Sequence, residues 1–300
     1  MTANGGTHGA IVIGAGVAGL TAAAELAERG IATALVDDGF LGGLITNVGK
    51  LEGVESTAES GPDLVNTLLE RALVAGADYR MGAVSALQHD DALWQLPEQE
   101  ATAPAIILAT GAALKQLGVP GETELAGRGV SQCAFCDGGL YRGKDVLVVG
   151  GGDAAFQEAL HLAELCASVT IAIRGVAPRA RMDFVQRLQA HSNVHVRTSI
   201  DVRTIIGTDG VDAIRLHDQA SGSEEECPIA AVFPFIGLAP QTALVPSEAK
   251  RNADGALTVN ATRQTTLSGL YAIGATRANH GGTAADAIAD AVAAAQAIAG

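Results

Sequence analysis

Two cysteines stand two residues apart in Cys133-Ala134-Phe135-Cys136-Asp137-Gly138. That spacing brings both sulfurs into disulfide reach and commonly lowers one thiol pKa, so the pair reads as redox-active. A structural zinc site is the competing reading, and it needs four ligands. The remaining cysteines, Cys166 and Cys227, stand alone with no second C-x-x-C. They read as small buried hydrophobes, and no metal is expected.

The elements around the pair are nucleotide-binding units. Ala10–Ile13 is a short apolar strand running into Gly14-Ala15-Gly16-Val17-Ala18-Gly19. A helix follows with Leu20, Ala23, Ala24 and Leu26 on one side, then a second strand, Ala32–Val36, ending in Asp37-Asp38. This is the G-x-G-x-x-G fingerprint in a β-α-β context. Gly14 makes the tight turn, Gly16 lets the backbone approach a pyrophosphate, and Gly19 lets the helix pack on the strand. The helix N-terminus attracts the phosphate charge, and Asp37 is placed for a ribose 2′-OH. The pattern recurs from Asp145–Val149 through Gly150-Gly151-Gly152-Asp153-Ala154-Ala155, a helix from about Ala154 to Leu165, and a strand Val169–Ile173. Two such units suggest two dinucleotides, one a flavin and one a nicotinamide.

Between and beyond them, Ala105–Leu108 reads as a buried strand leading into Ala109-Thr110-Gly111, and Leu117–Gly121 as a linker. Residues 211–232 read as a hairpin around Gln219–Glu226, Phe233–Leu238 as the crossing back to the first domain, Leu270–Ile273 as the last strand and Thr283–Ile298 as an Ala-rich helix. The expected fold is α/β, with two Rossmann-like dinucleotide-binding domains of the three-layer ββα type, the second inserted into the first.

C-x-x-C-D-G ahead of a second G-x-G-x-x-A resembles the low-molecular-weight thioredoxin reductases. Gly42-Gly43, Ala109-Thr110-Gly111, Gly118-Val119-Pro120-Gly121 and Gly127-Arg128-Gly129-Val130-Ser131 stand in that family's order, so the resemblance runs from about Ala10 to Ala295. It implies FAD on residues 1–115 and 238–300, held at Gly14, Gly16, Ala18, Gly19, Asp37, Gly42, Gly43, Ala109, Thr110, Gly111, Gly274, Thr283 and Ala284. It implies NADPH on residues 116–237, held at Gly150, Gly152, Asp153, Ala154, Arg174 and Arg179. The nicotinamide would reduce the flavin, the flavin would reduce the disulfide, and the inserted domain would swing to present the dithiol to a thioredoxin-like protein or a small disulfide. Cys136 would be the flavin-proximal sulfur and Cys133 the attacking one, with Asp137 the general acid rather than a plain turn carboxylate. The family is usually a homodimer.

Departures from the family cluster around flavin and donor. Where the family's last strand ends in Gly-Asp, the Asp binding the ribityl chain, this chain has Gly274-Ala275. Gly282-Thr283 replaces Arg-Gln, although Thr283-Ala284-Ala285-Asp286 has capping-box spacing, which reads Asp286 as a helix cap. Of a His-Arg-Arg-x-x-x-Arg pattern for the adenosine 2′-phosphate, Arg174 and Arg179 remain, Gly175 replaces the third, and Arg181 is a candidate substitute. A lost charge-assisted contact costs about 1.5–3 kcal/mol, so a weak preference for NADPH is expected. Lys50-Leu51-Glu52-Gly53 replaces Glu-Asn-aromatic-Pro-Gly in a shortened loop. Three rivals to an NADPH-dependent thioredoxin reductase follow: an FAD-dependent dithiol oxidase passing electrons from a small molecule to oxygen, a reductase fed by another donor such as reduced ferredoxin, and a binding module that has lost its cofactor.

Composition sets the outer bounds. Three hundred residues, 48% of them hydrophobic and 3% aromatic, can fill about two domains. The net charge of -14 argues against a nucleic-acid partner, which needs a basic face. No apolar run reaches the roughly 18–20 residues that cross a bilayer, so no membrane partner is expected. Met1 to Gly9 holds no Lys or Arg, so Ile11–Leu20 does not read as a signal peptide, and a cytoplasmic protein is the expectation.

Overall fold

Alternation along short apolar strands decides which side chains enter which core. A computed structural model describes residues 6–51, 57–90 and 92–300. Glu52 and Gly53 of the shortened loop, and the start of the Met1–Gly9 segment, lie outside the described residues. In strand β1 (Ala10–Ile13) every position is buried. Ala10 and Val12 face a core shared with helices, while Ile11 and Ile13 face a second core on the other side of the sheet. A strand buried on both faces reads as a continuous apolar run for this reason.

Helix α1 (Val17–Glu28) follows, then β2 (Thr33–Asp37), one residue later than expected. Helix α2 (Gly61–Val74) starts at Ser60, whose hydroxyl accepts the Asp63 N–H in a capping box. Arg71 of α2 reaches Glu28 of α1 at 2.7 Å. Strand β3 (Asp78–Met81) and, after a small antiparallel meander, β4 (Ile106–Leu108) complete the first half.

Helix α3 (Ala134–Asp137) contains Cys136 and is capped by Cys133. Strand β5 (Asp145–Val149), α4 (Asp153–Ala163) and β6 (Ser168–Ile173) form the second glycine-turn unit. Helix α5 (Met182–Gln189), β7 (Val194–Thr198), β8 (Ile200–Gly207), β9 (Val211–Asp218), β10 (Glu224–Pro228) and β11 (Ala231–Pro234) follow. Strand β12 (Leu270–Ala272) and helix α6 (Ala284–Ala299) close the chain.

The chain divides into two units, 1–113 with 239–300 and 114–238. In the first, the parallel order is β12-β4-β1-β2-β3. Helices α1, α2 and α6 pack on one face, where fully buried alanines such as Ala23 and Ala291 allow close approach. In the second, the parallel order is β7-β6-β5-β11, with α4 and α5 on one face and the antiparallel β8-β9-β10 sheet on the other. Both units are Rossmann-like, with layers of sheet, sheet and helix.

Two segments differ from expectation. Phe233 and Pro234 belong to β11 rather than to a crossing, and Phe233 is fully buried. Proline is tolerated there because β11 is an edge strand. Leu117–Gly121 folds within the second unit, where the buried Glu122 carboxylate accepts the N–H groups of Leu117 (2.8 Å) and Gly118 (2.7 Å). Among the described residues no helix is long and apolar enough to cross a membrane.

Candidate active site

Cys133 and Cys136 are joined in a disulfide, with Cα atoms 5.3 Å apart. Cys133 is the extended residue that caps α3, and its Sγ accepts the Cys136 N–H at 3.0 Å. The cap sets their exposure: Cys133 is buried, and Cys136, on the outer side of the turn, is exposed. Asp137 returns its N–H to the Cys133 carbonyl at 3.1 Å. Ser131 ties the turn together: its hydroxyl donates to Asp137 Oδ2 at 2.7 Å, and its oxygen accepts the Cys133 N–H at 3.2 Å. Burial and the nearby Asp137 charge push the Tyr141 hydroxyl up.

A second carboxyl holds the other side of the turn. Glu158 Oε2 accepts the Ala134 N–H at 3.0 Å, and the Phe135 N–H also donates to this carboxyl. Burial pushes Glu158 up to about 7, against the two amides that pull it down. Disulfide, Asp137, Ser131 and Glu158 thus form one cluster within the second unit. It has a disulfide that can accept an electron pair and two carboxyl groups beside it.

The glycine turns show where a nucleotide fits. A Cβ on Gly14 would meet the Ala109 carbonyl oxygen at 2.5 Å, and one on Gly19 would meet the Gly14 oxygen at 1.8 Å. Those glycines serve the protein's own packing. A Cβ on Gly16 would meet only the Gly42 oxygen at 3.6 Å, so the start of α1 is open. Gly42 donates its N–H to the Ala15 oxygen at 2.8 Å, which brings Gly42-Gly43 to the same turn. In the second unit Gly150 is pressed against the Phe235 oxygen, at 2.2 Å from an added Cβ, while Gly152 has open space. Each turn therefore leaves backbone uncovered at the start of a long helix, and the residues present fit a dinucleotide pyrophosphate.

Other expected cofactor residues gather around the first turn. Asp37 is buried, and its carboxylate accepts the N–H groups of Ala15 (2.7 Å) and Gly39 (2.9 Å), so it pins the glycine turn. Ala109 donates its N–H to the Ile13 oxygen at 2.8 Å, and Thr110 donates its hydroxyl to the Gln241 oxygen at 2.5 Å. Gly111 and Gly274 take positive φ, and Gly274 lies close to Ala18. Thr283 caps α6, with Asp286 completing the capping box ahead of Ala284.

Next to Ala275 the fold supplies a carboxylate from elsewhere. Buried Asp290 accepts the Gly274 N–H at 3.0 Å and pairs with Arg263 (2.7 Å) and Arg277 (2.5 Å). Burial alone would push Asp290 up, but the nearby His280 ring, 3.6 Å away, and bonds from Arg277, Arg263 and Gly274 hold it well below the usual carboxylate range. Asp290 is thus occupied in fixing the turn at Gly274.

At the second turn Arg179 donates its backbone N–H to the Gly151 oxygen at 2.7 Å, which lays the segment over the glycines. Arg174 and Arg179 are exposed. Arg181 does not stand free as a replacement for the missing arginine. It donates its N–H to Asp153 Oδ1 (2.7 Å), pairs with Asp153 (3.2 Å) and Asp183 (3.6 Å), and lies over the Phe184 ring at 4.5 Å. Asp153, expected at the cofactor, is its partner, with Ala154 beside it in the first turn of α4. Cys166 is buried as expected, while Cys227 is only half-buried.

Sequence reasoning missed Glu158 and Asp290. Both act across long separations, 24 residues to Ala134 and 16 to Gly274, with no local motif to mark them. The signal available was a carboxylate set among apolar and alanine positions of an amphipathic helix.

The profile of the pyridine nucleotide-disulphide oxidoreductase family matches residues 9–296. The thioredoxin reductase of Mycolicibacterium smegmatis is 35% identical over 279 residues, 91% of this chain and 90% of that protein. The thioredoxin reductase of Bacillus subtilis (strain 168) is 35% identical over 270 residues, 88% of this chain and 85% of that one. The crystal structure of Lactococcus lactis thioredoxin reductase in its FR conformation superimposes with a TM-score of 0.93 at 29% identity, covering 97% of each chain.

Proposed function

This chain belongs to the pyridine nucleotide-disulphide oxidoreductase family, in its low-molecular-weight thioredoxin reductase branch, and we propose that it passes electrons from NADPH through FAD and the Cys133–Cys136 pair to the disulfide of a thioredoxin-like protein. The observation that carries this reading is the closed disulfide on a turn shared with Asp137, one strand ahead of an open glycine turn. FAD belongs on the first unit, residues 1–113 with 239–300, at Gly16, Gly42-Gly43, Thr110-Gly111 and Gly274. The nicotinamide cofactor belongs on the second unit, residues 114–238, at Gly152, Arg174 and Arg179. The bound flavin supplies a two-electron carrier between nucleotide and disulfide. The chain's own residues do the rest. Asp137, oriented by Ser131, delivers a proton to the sulfur that leaves as a thiol. Exposed Cys136 is the sulfur open to an incoming electron pair, and Cys133 becomes the attacking thiol once its cover is lifted. A cytoplasmic homodimer is the setting we propose.

One observation favours a second reading at the donor side. Gly175 contributes no charge, and Arg181 is already paired with Asp153 and Asp183. A weakened 2′-phosphate clamp suits a reductase with little preference between NADPH and NADH, or a flavin dithiol oxidase. Anaerobic titration of the purified protein with NADPH, NADH and a dithiol, followed by the flavin spectrum, separates these. NADPH is expected to bleach the flavin, and the reduced enzyme to open a thioredoxin disulfide. Bleaching by a dithiol or reduced ferredoxin, with neither nucleotide effective, would overturn the proposal.

A further inference from the structure

Glu158 lies one strand and one helix away from the cysteines in sequence, yet its carboxyl receives the N–H groups of Ala134 and Phe135, the two residues between the sulfurs. It sits on α4, five residues beyond Asp153 at the start of that helix. A carboxyl in this place has two effects. As an acceptor it fixes the turn that holds both sulfurs. As a charge it opposes any second negative charge formed on that turn.

We propose that Glu158 is a positioning residue for the redox turn and takes up the second proton when the Cys133–Cys136 disulfide is reduced. The proposal rests on the redox role of the pair. Two electrons, from a reduced flavin or a small dithiol, break the S–S bond. One sulfur gains a proton and becomes a thiol, and the other stays a thiolate. The Glu158 carboxylate gains the second proton, so two electrons and two protons enter together and the net charge of the cluster is unchanged.

The sign follows from linkage. In the disulfide form burial holds Glu158 at about 7. A thiolate beside the same two amides disfavours the carboxylate further, so its pKa rises on reduction. Above pH 7, and up to that higher value, the reduced form carries a proton on Glu158 that the disulfide form lacks. The other titratable groups on elements packed against Glu158 are Asp137 on α3, Tyr141 after it, Asp145 on β5, and Asp183 and Arg187 on α5. On its own helix they are Asp153 and His161, whose ring lies 5.7 Å from Phe135. None of them contributes to the shift of Glu158, which burial and the two amides set.

The test uses the full-length, FAD-loaded protein. Infrared difference spectra on electrochemical reduction at pH 8 should show a protonated-carboxyl band gained with the dithiol. Asp137→Asn should keep that band and Glu158→Gln should lose it. Absence of the band in the wild type overturns the proposal. In parallel, the alkylation rate of the dithiothreitol-reduced pair is followed against pH. Wild type should form thiolate in two coupled steps. Glu158→Gln keeps an oxygen for the two amides, so it should show one step, with about twofold more thiolate at pH 7, where Glu158 is already half protonated, rising toward roughly tenfold more at pH 8. Superimposable profiles would leave Glu158 a structural cap only and overturn the proposal. If dithiothreitol exposes no alkylatable Cys133 or Cys136 in wild type, the redox reading itself has failed, a result distinct from both.

Discussion

Cys133 and Cys136 differ in exposure although two residues separate them, because the first caps the turn and the second rides on its outer side. Changing Cys136 to Ser removes the exposed sulfur and leaves the cap, where Cys133 Sγ accepts the residue-136 N–H. Disulfide turnover should disappear while flavin reduction by the donor persists, a split measured by rapid mixing with and without thioredoxin. Full disulfide activity in Cys136→Ser would make the pair structural. Asp137→Asn keeps an oxygen for the Ser131 hydroxyl and loses the transferable proton. Turnover should fall by about 100-fold with flavin content unchanged, and an unchanged rate across pH would return Asp137 to a turn carboxylate. These residues were legible because their chemistry is carried by neighbours in sequence. Glu158 was not, since its bonds to Ala134 and Phe135 exist only after α4 packs on α3.

At the scale of elements, each strand-turn-helix unit follows from steric demands made within a short stretch. That is why β1 and β5 fall where alternation and glycine spacing place them, at Ala10–Ile13 and Asp145–Val149. The ends are set by partners elsewhere and were less legible. Strand β2 extends to Asp37, which is drawn in by the Ala15 N–H, and β11 takes Phe233 because the helical core of the second unit receives its ring. The turn at Gly274 was read for the carboxylate that Ala275 lacks, and nothing local announces Asp290 sixteen residues on. The two kinds of glycine in the first turn make a paired test. Gly19→Ala places a methyl 1.8 Å from the Gly14 oxygen, so α1 must shift, at a cost of about 3 kcal/mol. Gly16→Ala meets ordinary contact and an unstrained backbone, φ -77°, and should leave apoprotein stability within about 0.5 kcal/mol. Its FAD affinity should nonetheless drop, because the methyl stands where the pyrophosphate approaches. Thermal melts of the apoproteins and flavin-fluorescence titrations measure both, and wild-type FAD affinity in Gly16→Ala would move the pyrophosphate off this turn.

At the scale of the molecule, the two units own separate cores, and each carries one open glycine turn. A ligand stabilises only what it binds, by an amount set by its concentration over its dissociation constant. FAD held by the first unit should therefore slow hydrogen exchange in β1, α1 and α6 and leave β5 and α4 at their apoprotein rates. NADPH should do the reverse, slowing β5, α4 and the segment Arg174–Arg179. At a hundredfold excess over its dissociation constant, each cofactor contributes about 2.7 kcal/mol to its own unit. Scanning calorimetry of the apoprotein should accordingly show one transition that moves with FAD and another that moves with the nicotinamide cofactor. The acidic net charge of -14 raises the stakes for the second of these, since a phosphate-bearing ligand must be drawn in by Arg174 and Arg179 against the field of the whole chain. Weakening that pair with Arg174→Ala and Arg179→Ala should shrink the NADPH-induced shift to the size that NADH gives, while the FAD-induced one stays. If both cofactors protect the same unit, the assignment of one dinucleotide to each glycine turn is wrong.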